Sequence, residues 1–79
     1  MTTLLKVGKR YRVVYQLPGR RTADEMVAEY LGEETWAGGR TVTVWSGRPA
    51  FGTTRISLKD LAEATPTKDE PHAPRRKKK

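Results

Sequence analysis

From Leu5 to Leu17 every second side chain is apolar or aromatic (Leu5, Val7, Tyr11, Val13, Tyr15, Leu17), broken only by Lys9. The positions between them hold Lys6, Gly8, Arg10, Arg12 and Gln16, with Val14 the exception. A period of two is the signature of a strand with one face in a core and the other in water. Pro18-Gly19 then ends the pattern with a turn. A chain that begins this way needs further strands to cover the apolar face, and the sequence offers them. Thr41-Val42-Thr43-Val44-Trp45 is rich in β-formers and follows Gly38-Gly39, a hairpin signal; it closes at Ser46-Gly47-Arg48-Pro49. Thr54, Ile56 and Leu58 alternate with Thr53, Arg55 and Ser57. Leu58-Lys59-Asp60-Leu61 reads as a single helical or 3₁₀ turn leading into a last short strand.

Residues 22–34 support two readings. Thr22-Ala23-Asp24-Glu25 fits a helix capping box. Ala23, Met26, Val27, Tyr30 and Leu31 then fall on one helical face, with Gly32 placed as the C-terminal cap. As a strand, the segment puts Met26, Ala28 and Tyr30 on one face, and Val27 and Leu31 on the other. Strands on both sides, joined by short turns, suit a meander whose second strand is 25–32. A short helix packed across a three-stranded sheet stays open as the alternative.

At 79 residues the chain is expected to form one small domain. Composition changes at Ala64-Thr65-Pro66. From Pro66 onward come three prolines, no large apolar residue and a closing Arg75-Arg76-Lys77-Lys78-Lys79. Such a segment buries too little surface to offset its ordering entropy, so residues 1–65 are expected to fold and 66–79 to be a disordered basic tail. The net charge of +7 divides unevenly. Residues 1–21 carry six bases and no acid, residues 22–34 five acids and no base, and the tail a surplus of four bases. The expected folded part is therefore only +3.

Tyr11-Arg12-Val13-Val14-Tyr15, Tyr30-Leu31-Gly32-Glu33 and Trp45-Ser46-Gly47-Arg48-Pro49-Ala50-Phe51-Gly52-Thr53-Thr54 together resemble small, mostly uncharacterised proteins of actinobacterial phages. The segment order resembles the Src-homology-3-like (SH3-like) barrel, in which a 3₁₀ turn precedes the last strand. The resemblance spans about residues 5–64. It implies an all-β, five-stranded small barrel and a viral source, and it carries no catalytic residues.

Catalysis is not expected. The single His72 lies in the tail, where it lacks the fixed geometry of a general base. Without cysteine there is no disulfide framework, no zinc ribbon and no thiol chemistry, and no cofactor or metal is expected. Asp24-Glu25 and Glu33-Glu34 read as solvated acidic pairs. No apolar run approaches the roughly 20 residues of a membrane helix, so the expectation is a cytoplasmic protein of the host cell, or a virion protein, with no membrane partner.

The expected activity is binding. Lys6, Arg10 and Arg12 share one strand face and Arg20 and Arg21 follow in the turn, while Arg75, Arg76, Lys77, Lys78 and Lys79 end the chain. Such bases track phosphates with salt-dependent, sequence-tolerant affinity. This points to nucleic acid, or to a nucleic-acid machine of the host. The rival is a protein-interaction module, either a small virion component or an inhibitor docking on a host protein. The acidic 22–34 segment favours that rival. Trp45, Arg48 and Phe51, with Trp36 near the Gly38-Gly39 tip, are residue types enriched in contact hot spots. Trp45 and Phe51 equally suit a core role. No residue fixes the oligomeric state.

Overall fold

The period-2 segment does form a strand, but a shorter one than its pattern. β1 is Arg10–Tyr15. Ahead of it the chain turns: Lys9 N–H donates to the Lys6 carbonyl at 3.2 Å, and Gly8 takes a left-handed φ of 89°. Leu5 still reaches the core, whereas Val7 stays 68% exposed. The computed structural model describes residues 5–48 and 51–76. The other strands are β2, Asp24–Trp36; β3, Arg40–Ser46; β4, Thr53–Ser57; β5, Leu61–Pro66; and β6, His72–Arg76. Two 3₁₀ turns, Ala37–Gly39 and Leu58–Asp60, join β2 to β3 and β4 to β5.

All strand pairs are antiparallel, in the order β4-β3-β2-β1-β5 with β6 on β2. The chain is thus mainly β, with six strands rather than five. The sheet is not closed: β4 pairs with β3 and β5 with β1, so the turn Leu58–Asp60 links two edges that do not bond to each other.

Residues 22–34 are strand, and the reason is position. β1 and β6 flank Asp24–Val27 on opposite edges, and Met26, Val27 and Ala28 are buried in succession. A strand covered on both faces buries consecutive residues, a pattern that resembles a helix in sequence. β2 then passes from β1 to β3. The register slips between Tyr30 and Gly32, leaving Leu31 over, and Gly32 adopts a φ of 125° that favours glycine.

The inner face gathers Tyr11, Val13, Tyr15, Met26, Ala28, Tyr30, Trp45 and Ile56, with Leu5, Phe51, Leu61 and Ala64 packed against them. Three aromatics form its centre. The Tyr11 ring meets Trp45 edge-on at 5.9 Å and Tyr30 at 6.5 Å, and Tyr30 lies 5.0 Å from Trp45. The Trp45 indole donates to Thr43 Oγ1 at 2.8 Å, and that hydroxyl donates to the Ile56 carbonyl at 2.7 Å. The polar atoms buried with the core are therefore satisfied.

The expected disorder of 66–79 is corrected for residues up to Arg76. Pro66 is the last residue of β5, and β6 takes the stretch of β2 edge that β3 leaves: β3 ends at Glu29↔Ser46, and β6 runs from Val27↔His72 to Asp24↔Arg76. Composition misses this strand because backbone pairing to a vacant edge needs no apolar side chains. Pro74, which has no N–H to give, sits in a register shift of an outermost strand.

Candidate functional site

The bases of β1 do not stand free. On its outer face Arg12 Nη2 bonds to Asp69 Oδ2, and Nη1 lies 3.9 Å from Glu25. Arg10 Nη1 donates to the Asp69 carbonyl at 3.2 Å and is 3.8 Å from Glu70. Thr67 N–H donates to the Arg10 carbonyl, and β6 begins opposite Val27, the cross-strand partner of Arg12. Residues 67–71 therefore cross the outer face as a strap, which lays two acids on two arginines. Arg20 pairs with Asp24 at 3.5 Å, and Arg75 reaches Glu25 at 4.0 Å. Four of the bases expected to meet phosphate are thus matched within the chain. The −5 segment and the strap supply the partners.

A second group of charges is gathered around the turn Leu58–Asp60. On one side, Gln16 N–H donates to the Asp60 carbonyl at 3.0 Å; Gln16 Nε2 holds the Arg20 carbonyl at 2.7 Å, which fixes the β1–β2 turn and its exposed Arg20 and Arg21. On the other side, Leu58, Lys59 and Ser57 line a shallow depression with Gly38, Arg40 and Thr41. Three connections thus form one rim. It carries Arg20, Arg21, Arg40 and Lys59, with Leu17, Trp36 and Leu58 as its exposed large apolar side chains. Among the described residues, Arg21, Arg40 and Lys59 make no ion pair.

Register places Trp36 opposite Arg40, one step along the outer face from Glu34↔Val42↔Ser57. The Trp36 indole donates to Glu34 Oε1 at 3.0 Å. Arg55 reaches the same carboxylate across β3, through Nε at 3.0 Å and Nη2 at 3.4 Å. The Arg55 hydrogen bond first, and the Trp36 one second, hold the Glu34 carboxyl below its ordinary range.

The other expected contact residues divide. Trp45 is fully buried at the core centre, and Phe51 packs against that core, closing over Gly47. Arg48 is exposed in the β3–β4 loop. Lys6 is exposed and gives its backbone N–H to the Tyr11 hydroxyl. Arg76 is exposed opposite Asp24, while Lys77, Lys78 and Lys79 lie outside the described residues. Leu58 and Lys59, read from sequence only as part of a turn, belong to the rim. The usable signal was the hairpin glycines and the 3₁₀ turn, which together bring Arg40 and Lys59 to one end. Among the described residues no group of His, Cys, Asp and Glu could hold a metal ion, and no helix is long and apolar enough to cross a membrane. Comparison with protein-family models, with curated proteins and with solved structures found nothing that matches this chain.

Proposed function

We propose that this chain is a non-catalytic binding module that contacts the phosphate backbone of nucleic acid through the rim around Leu58–Asp60. The observation that carries this reading is the set of cations there, Arg21, Arg40 and Lys59, which have no acidic partner among the described residues. Unmatched cations on neighbouring turns follow a polyanion; arginines already held by carboxylates add little. The β1 arginines therefore contribute less than their sequence position suggests. We also read the open sheet as an SH3-like small barrel. The support is the strand order and the 3₁₀ turn ahead of the strand that returns to β1. The phage resemblance sets this module in an infected host cell, on nucleic acid or on a machine that handles it.

The test is binding of random duplex and single-stranded DNA and RNA at low and moderate salt, by the full chain and by Arg40→Ala/Lys59→Ala. Affinity should fall with salt, and the double variant should lower the log–log slope by about 1.5. Absence of salt-dependent binding by the full chain overturns the reading and leaves protein docking as its replacement.

A further inference from the structure

We propose that Trp36 is a base-stacking residue, so that the ligand of the rim is single-stranded nucleic acid; the inference rests on the rim reading above. Trp36 is 47% exposed, although the chain's other tryptophan is wholly buried. It stands where the β2–β3 hairpin runs past the core: Thr35 to Arg40 are all exposed, and the tip turns through Gly38 and Gly39 at φ of 83° and 80°. The ring is held. Its N–H is bonded to Glu34, and Glu34 is clamped by Arg55 from β4. An indole anchored through one edge loses less freedom when a base stacks on it.

The surroundings suit a nucleotide. Arg40 is the cross-strand partner of Trp36, and Lys59 lines the same depression as Arg40. Glu34, the acid bonded to the Trp36 indole, is matched by Arg55 and so does not leave a bare negative charge beside a phosphate. Asp60, next to Lys59 in the turn, is the acid the rim cations outnumber. A stacking platform next to cations is the general design for sequence-tolerant binding of single strands. A duplex keeps its base faces inside and offers this ring nothing but its ends.

The experiment follows Trp36 fluorescence as an oligothymidylate, an oligouridylate and a blunt duplex are added at equal phosphate concentration. Trp45, buried and hydrogen-bonded, supplies a constant background. The single strands should quench the emission and the duplex should not. Trp36→Ala should weaken single-strand binding about tenfold and duplex binding by far less. Trp36→Phe should keep most of the affinity. Circular dichroism should show Trp36→Ala folded, since the side chain lies outside the core. Wild-type single-strand affinity in Trp36→Ala, or equal losses for single strand and duplex, overturns the proposal. If Arg40→Ala/Lys59→Ala lowers the salt dependence while Trp36→Ala changes nothing, the rim stands and stacking falls. If the wild type binds neither form at low salt, both fall.

Discussion

Gly47 shows how little room one position leaves. Its φ is not left-handed, so backbone freedom does not explain it. A β-carbon there would instead overlap the Phe51 ring, which lies across it and against the core. The loop is closed by Gly47 N–H to the Gly52 carbonyl at 2.6 Å and Phe51 N–H to the Gly47 carbonyl at 3.0 Å, and relieving the overlap would draw the ring from its packing against the core. Gly47→Ala should cost about 1–3 kcal/mol in chemical denaturation. Combined with Phe51→Ala it should cost less than the two single losses together, because the clash goes with the ring. Two core tyrosines set a pH limit in the same way. Burial first, then the charge of Asp24 opposed by Arg20, raises the Tyr15 hydroxyl above its ordinary value of 10.0. Burial first, then Glu33 and Tyr11, does the same for Tyr30. The folded chain thus keeps protons that the unfolded chain gives up. Stability is whole below that ordinary value and falls as pH climbs through it toward the folded values. Denaturant midpoints at pH 8 and pH 11 should show the drop, and Tyr15→Phe should make it smaller; an unchanged drop would assign it to other groups.

At the scale of elements, β6 and its strap are a structural part rather than an appendage. Val27 is on the outer face of β2 and is fully buried, with Arg12 opposite it on one side and His72 on the other. A chain ended after Thr67 exposes that valine, empties the edge of β2 at Asp24–Val27 and leaves Glu25 without Arg75. Losing the burial of one valine costs about 1.5 kcal/mol, and in a domain this small that lowers the melting temperature by about 5–10 °C. A scanning-calorimetry comparison of the two chains checks it; an equal melting temperature would mean that β6 contributes nothing. The same element marks the limit of sequence reading. β1, β3, β4 and the turn Leu58–Asp60 are legible because alternation and β-formers record a half-buried sheet face. β2 was ambiguous because a central strand buries neighbours on both faces. β6 was illegible because a vacant backbone edge leaves no trace in side-chain periodicity. Arg20, Arg21 and Trp36 were legible as exposed residue types, but Lys59 joins them only through the register that brings two turns together.

Over the whole molecule, the net charge of +7 is distributed by pairing rather than by sequence block. The strap returns Asp69 and Glu70 to Arg10 and Arg12, so the two arginines of the face that looked most basic in sequence are held within the chain. Arg21, Arg40 and Lys59 stay unmatched together at the rim, while Lys6, Lys9, Arg48, Lys68 and Arg76 are unmatched elsewhere among the described residues. If the strap is what quiets the β1 face, then Asp69→Asn/Glu70→Gln should strengthen polyanion binding by more than the change in net charge alone. Glu33→Gln/Glu63→Gln is the matched control. It removes the same two charges from exposed positions that make no ion pair among the described residues. Exposed pairs contribute at most about 1 kcal/mol each, so both variants should stay folded, and the comparison reads binding rather than unfolding. On immobilised heparin the strap variant should elute at higher salt than the control, with a steeper salt dependence, since two more arginines now release counterions. Co-elution of the two variants would mean that Arg10 and Arg12 were already available through the strap, and that net charge alone sets the affinity.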